Sequence, residues 1–467
     1  VSDPIVTTTA GAVRGRAVDG ARVYLDIPYA APPVGAARFA APQPHEPWHE
    51  VRDGTRPGPT APQPHRGGFG KLDMSPYFGA GWVPGADYLT LNVWAPPDAR
   101  DKPVMVFVHG GGFVSGSTRT PLYDGTAFAR DGVVLVTVNY RLGIAGFLDL
   151  PGAPANRGLL DIVAALRWVR ENIAAFGGDP GAVTVFGQSA GATLTGALLA
   201  TPDADGLFQR AIVQSGNGLG AFAPEQAERV ARAAAAALGI PCTAEAFGDV
   251  PDDRLIDVVP RLGGLDLRTA TRFDPLAGLS PFSIVLDEQP AESVAAGAGS
   301  RVALIVGTNT QEGNLYLVPQ GNSPTLDEVR ATAAQLAADP ETVLARYRAT
   351  RPRADLGELR SAILGDALFG IGSRRLIEAH STHPAPTYSY EFSWQSGALG
   401  GLLGAAHGVE VPYVFDTLDI PALHGPTGLL GPHPSPTLAA HMHNAWVDFA
   451  RTGDPRWSPS RTHRFTG

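Results

Sequence analysis

One cysteine, Cys242, stands in a chain of 467 residues, so no disulfide can close within it. That absence suits a reducing compartment, and the expected location is the cytoplasm. Lysine is nearly missing: Lys71 and Lys102 stand alone, and arginine carries the remaining positive charge. The net charge is −9 and there is no basic tract, which argues against nucleic acid as a partner. No apolar run reaches the ~18 residues that a membrane span needs, and no signal peptide is visible. Internal repeats and low-complexity tails are absent. His441 and His443 invite a metal reading, but two residues apart on a helix they point in different directions. No cysteine or carboxylate cluster joins them, so neither a metal nor a cofactor is expected. Nothing in the sequence sets an oligomeric state.

What is present suits a large folded core. Apolar residues make up 44% of the chain, enough for an extensive interior. Glycine (56) and proline (42) make it rich in loops without reaching the level of a disordered chain. Residues 1–60 read as short strands and turns. Apolar β-branched runs at 104–108, 132–138 and 183–186 alternate with a helical stretch at 158–175. Such alternation predicts an α/β fold with a mostly parallel sheet covered on both faces. An alanine-rich helix at 226–238, a strand at 301–306, a mainly helical segment at 322–382, a strand at 388–394 and a helix at 437–451 complete the expectation.

The most informative stretch is Gly187-Gln188-Ser189-Ala190-Gly191, set between the 183–186 strand and a helical run from 192. A serine between glycines at a strand-to-helix turn has a mechanical meaning. The turn is too sharp for neighbouring Cβ atoms, and it lifts the hydroxyl above the sheet beside a helix N-terminus. The pentapeptide alone is weak evidence, because roughly 0.3 matches are expected by chance in so glycine-rich a chain. A second motif strengthens it. His109-Gly110-Gly111-Gly112-Phe113 follows the 104–108 strand. Glycines there leave backbone N–H groups unshielded, so the amides of Gly111 and Gly112, with that of Ala190, could converge on one oxyanion. His109 is expected to shape that loop.

With these motifs in place the chain resembles the type-B carboxylesterases, the carboxylesterase and cholinesterase family of α/β-hydrolases. The likeness runs through Asp26 to Gly35, Leu91 to Trp94, Asn139 to Gly143, Gly146 to Leu148, Asn156 to Asp161, Ala165 to Val169 and Phe176 to Pro180. These segments stand in family order and near family spacing. The resemblance implies one α/β-hydrolase catalytic domain over 1–467, with cap or gorge-forming insertions at roughly 62–88, 220–300 and 314–400. It also implies a small-molecule ester as substrate and hydrolysis through an acyl-enzyme.

A nucleophilic serine needs a base and an orienting acid, in the order serine, acid, histidine. Glu312, in Gly307-Thr-Asn-Thr-Gln-Glu-Gly313, matches the family's acid, and His407, in Gly404-Ala-Ala-His-Gly, matches its histidine. Asp274, Asp287 and Asp366 are also carboxylates late in the chain, with Asp287 the leading alternative. His45, His49, His65, His380, His383, His424 and His433 read as surface residues, and His463 as exposed near the end.

Gln188 departs from most members of the family, which carry glutamate before the serine. The loss of that charge weakens attraction for cationic alcohols and leaves the histidine less basic, so neutral esters are expected over choline esters. The family often closes an aromatic loop with a disulfide. Ala61 and Tyr88 stand at the matching positions, so the loop bearing Phe69, Tyr77, Phe78 and Trp82 is expected to leave a wide entrance. Gln188, Phe113 and Phe282 are the expected substrate-binding positions. Carbamate or amide hydrolysis by the same groups is the alternative activity. A non-catalytic adhesion module of the same fold is the alternative class, disfavoured because all three groups and the donor loop are present.

Overall fold

A computed structural model describes residues 3–321 and 323–467. Its centre is a ten-stranded sheet. In chain order the strands are β1 (Arg16–Val18), β2 (Ala21–Pro28), β3 (Thr90–Ala95), β4 (Lys102–Val108), β5 (Val134–Val138), β6 (Gly178–Gln188), β7 (Arg210–Gln214), β8 (Ala303–Asn309), β9 (Thr387–Phe392) and β10 (His463–Phe465). Their spatial order is β10-β9-β8-β7-β6-β4-β5-β3-β2-β1. From β4 to β10 every pairing is parallel. β1, β2 and β3 close the other end antiparallel. The sheet is thus mostly parallel, and the chain has the α/β-hydrolase architecture.

The central strands are buried on both faces, which is why they read as unbroken apolar runs. Along β4, Val104, Val106 and Val108 enter one hydrophobic cluster while Met105 and Phe107 enter the other. Helices α1 (Arg157–Asn172), α2 (Ala190–Leu198) and α3 (Pro224–Leu238) cover the first face through Ile162, Leu194 and Val230. The opposite face takes α8 (Pro436–Thr452), through Met442, Trp446 and Phe449. Its start is capped by the Ser435 side chain and its end by Gly453.

Between β8 and β9 lie α4 (Leu326–Ala333), α5 (Pro340–Thr350), α6 (Leu356–Gly365) and α7 (Ile371–His380), with a π-helical turn at Asp366–Gly370. The helical expectation for this segment agrees, although residue 322, where it starts, lies outside the described residues. Helices α4 to α6 share a small apolar cluster of their own around Val329, Leu344 and Ile363. The range 314–400 is not wholly an insertion, because β9 within it is a central-sheet strand.

Two buried arginines tie the loops behind the site. Arg141 follows β5 and grips Asp161 on α1 with two bonds of 2.8 and 2.9 Å. Arg157 has no carboxylate partner among the described residues and donates instead to the carbonyls of Ala145, Pro154, Ile144 and Leu148. Burial pulls its pKa down to about 10. Ala61 and Tyr88 both sit in the main apolar cluster, so packing holds this loop without a covalent link. Two histidines depart from expectation. His380 is buried, with Nδ1 2.7 Å from the Thr387 hydroxyl. His463 is half-buried and stacked on Trp457. His380 is covered by β9 through Thr387, and His463 by Trp457 in the loop before its own strand.

Candidate active site

Strand β6 runs into α2 through Ser189, whose φ is +59° and ψ −126°. That backbone is strained for any residue with a Cβ and costs of order 1–3 kcal/mol. Close packing explains the flanking glycines. A Cβ at Gly187 would strike the Gly191 carbonyl, and one at Gly191 would strike the Val108 carbonyl. The Ser189 amide is held by the Gln214 carbonyl at 3.0 Å. The serine therefore stands at the C-terminal edge of the parallel strands, where sheets of this kind present their ligand crevice.

The loop after β4 carries positive φ at Gly111 (+118°), Gly112 (+64°) and Phe113 (+65°). The Gly111 carbonyl accepts from the amides of Val114 and Ser115, which fixes the tight turn. Ser280 donates to the Gly112 carbonyl at 2.6 Å and so orients the peptide behind it. The N–H groups of Gly111, Gly112 and Ala190 have no acceptor among the described residues. All three residues line the cavity that holds Ser189. His109 stacks on Tyr140 with ring centroids 4.5 Å apart, and burial lowers its pKa to about 4. It is a neutral structural residue under the loop, as expected.

Glu312 and His407 arrive on loops after β8 and ahead of a short helix at Val411–Phe415. The His407 Nδ1 lies 2.7 Å from Glu312 Oε2, with both side chains buried. The other carboxylate oxygen accepts from the Ser215 hydroxyl at 2.5 Å and the Asn309 amide at 2.7 Å. Phe369 lies flat against the imidazole, 4.1 Å between centroids and 5° from parallel. Behind the pair is a second buried carboxylate, Glu410, which accepts from Asn309 Nδ2 at 2.7 Å. Burial first, and then Glu312, raise its pKa above the usual value. Ser215, Ser280, Phe369 and Glu410 escape sequence reasoning, since each is an ordinary residue in an ordinary stretch. Only their distance to the site marks them.

The imidazole's Nε2 lies in the cavity with Ser189 but is not hydrogen-bonded to it. Its side-chain partner is the Gln188 Nε2, at 3.3 Å. The Gln188 carbonyl in turn accepts from the Tyr77 hydroxyl, which fixes the amide so that its N–H₂ faces the ring. Catalytic hydrogen bonds are often loose without substrate, so the separation does not disqualify the serine.

Gln188 lines the cavity, and its buried side chain also touches His407, so it stands between the substrate space and the imidazole. One expected substrate-binding position needs correction. Phe282 is in the core and does not line the cavity; Leu276, Leu279 and Ser280 stand there instead. Phe69, Tyr77 and Phe78 of the aromatic loop line the cavity and Trp82 does not, and the space around Ser189 is about 100 Å³. Phe113 does line it. Asp287 is exposed and far from serving His407, whose carboxylate place is taken by Glu312. Among the described residues no three His, Cys, Asp or Glu side chains gather as metal ligands, and no helix is long and apolar enough to cross a membrane.

This geometry can be set beside known proteins. Residues 2–465 match the model of the carboxylesterase family. The chain belongs to that family. The carboxylesterase is 37% identical to para-nitrobenzyl esterase of Bacillus subtilis (strain 168), over 97% of this chain and 90% of that one. It is 36% identical to phenmedipham hydrolase of Pseudarthrobacter oxydans, over 97% and 91%. A solved thermophilic PNB esterase superposes with a TM-score of 0.84 at 35% identity, covering 100% of this chain and 96% of the other. This carboxylesterase is a carboxylic ester hydrolase acting on small-molecule esters.

Proposed function

We propose that Ser189 is the nucleophile of this esterase, His407 its general base and Glu312 the orienting acid, within one catalytic domain. In this reading His407 takes the Ser189 proton as the hydroxyl attacks the ester carbonyl. The oxyanion rests on the amides of Gly111, Gly112 and Ala190. The alcohol leaves with the proton from His407, and a water activated by the same ring hydrolyses the acyl-enzyme. Glu312 holds the Nδ1 proton, so the Nε2 lone pair faces the cavity. The observation that carries the reading is the 2.7 Å bond between His407 and Glu312 beside a strained serine and three free amides. The pair needs Gln188 to yield its place at Nε2 when substrate arrives.

Neutral esters are the preferred substrates over choline esters, because an amide rather than a carboxylate precedes the serine. Carbamate hydrolysis is the second reading, favoured by the relative named phenmedipham hydrolase. Carbamates pass through the same tetrahedral chemistry. The lone cysteine favours a reducing cytoplasm. The reading is tested by labelling with an organophosphate and mapping the adduct by mass spectrometry. Modification at a residue other than Ser189, or full turnover by Ser189→Ala, defeats it. A panel of nitrophenyl esters, carbamates and anilides then ranks the acyl classes.

A further inference from the structure

Arg66 lines the cavity that contains Ser189 and His407. It is the only arginine, lysine, aspartate or glutamate among the lining residues. Its guanidinium lies over the Phe78 ring, 5.8 Å from the centroid, and makes no hydrogen bond or ion pair with any described residue. The side chain is half-buried, and this burial draws its pKa below the ordinary arginine value. The two fully buried arginines differ in having partners. Arg141 is matched by Asp161, and Arg157 by four carbonyls. Five unspent donors in a substrate cavity call for an acceptor from the substrate.

The aromatic walls say which part of the substrate that is. Phe369 and Tyr316 flank His407 at 4.1 and 5.9 Å. Phe69 lies 5.8 Å from Tyr316 and 6.0 Å from Phe78, and Phe78 carries Arg66. Arg66 is therefore reached from the imidazole side, where the alcohol departs with its proton. The oxyanion loop, with Ser280 bonded to Gly112, forms another part of the cavity wall.

We propose that Arg66 selects esters whose alcohol part carries a carboxylate, gripping that anion while the neutral ester group lies at Ser189. The proposal rests on the assignment of Ser189 and His407 above, and adds a charge preference to it. The reaction itself is unchanged: water is consumed, and a free acid and an anionic alcohol are released.

The test compares 4-carboxybenzyl acetate, 4-methylbenzyl acetate and benzyl hemisuccinate as substrates of the wild type, Arg66→Met and Arg66→Lys. The wild type is expected to favour the carboxybenzyl over the methylbenzyl ester about 10-fold or more in kcat/KM, chiefly through KM, with the advantage shrinking as salt rises. In Arg66→Met the ratio between these two esters falls by about 10–100-fold. Lysine restores part of it, since it keeps the charge but not the planar fork. Equal turnover of both benzyl esters by the wild type overturns the proposal. So does an unaltered ratio in Arg66→Met, or a preference for the hemisuccinate, whose charge is on the acyl side. Should Arg66→Met not fold, the wild-type ratio, its salt dependence and Arg66→Lys still decide. Failure of the underlying assignment would show separately, as methylbenzyl acetate hydrolysis that survives Ser189→Ala.

Discussion

Replacing Gln188 with glutamate puts a carboxylate where an amide now sits 3.3 Å from His407 Nε2. Tyr77 can still donate to one oxygen, which leaves the other facing the ring. A full charge at that distance favours the imidazolium by about 5 kcal/mol at an effective dielectric constant of about 20. That would correspond to about 3.7 pH units at ~1.36 kcal/mol per unit. The new carboxyl is itself buried, with Glu312 and Glu410 close by, and both effects hold back its ionisation. We therefore expect about 1–2 units to survive. The sign is definite. An anion stabilises the protonated base, so the acid limb of kcat/KM moves to higher pH and activity at pH ~6 falls by about 10-fold or more. The assay is the pH–rate profile of a neutral nitrophenyl ester from about pH 5 to 9, for wild type and Gln188→Glu. An acid limb unmoved within about 0.3 unit, or moved downward, would refute the reasoning. It would mean that the residue before the serine does not govern the charge on this histidine.

Three further outcomes are expected. Glu312→Gln keeps an acceptor for Ser215 and Asn309 but presents the wrong partner to Nδ1, and kcat should drop about 10,000-fold with the fold intact by circular dichroism. A loss under tenfold would demote Glu312. Gly111→Ala drives a methyl into the Ser115 carbonyl at a φ that disfavours side chains, so the donor loop must shift; kcat should fall about 100-fold or more, with KM changing much less. An equal rise in KM would point to binding instead. Asp26 combines a left-handed backbone (φ +58°) with a buried carboxyl that burial pushes up to about 6 despite Arg52. The folded state thus holds a proton that the unfolded state releases between about pH 4 and 6, and stability falls as pH rises through that window. Asp26→Asn should gain about 1–2 kcal/mol at pH ~7.5 and little at pH ~4, read as melting temperatures. A variant less stable at the higher pH would contradict this.

The parts of the site that depend on near neighbours were written plainly in the chain. Gly187 and Gly191 are there because a Cβ at the first would meet backbone four residues on, and one at the second would meet the end of the adjoining strand. Unbroken apolar runs such as 104–108 announced strands buried on both faces, because such strands have no solvent side to alternate with. The distant side chains were another matter. Glu312 and His407 could be named from order and resemblance, but their 2.7 Å bond is a product of how β8 and the loop before Val411–Phe415 pack.

Sequence alone determined the sheet's character, the sharp turn at Ser189 and the glycine loop facing it, since each follows from sterics within a short span. Only the tertiary structure decided that Gln188 turns inward to the imidazole, that Phe282 packs in the core, that the aromatic loop lines a cavity of about 100 Å³, and that Arg66 stands in it without a hydrogen-bond partner among the described residues. Those outcomes depend on which segments, hundreds of residues apart, share the same buried volume, and no local window of the chain contains that information.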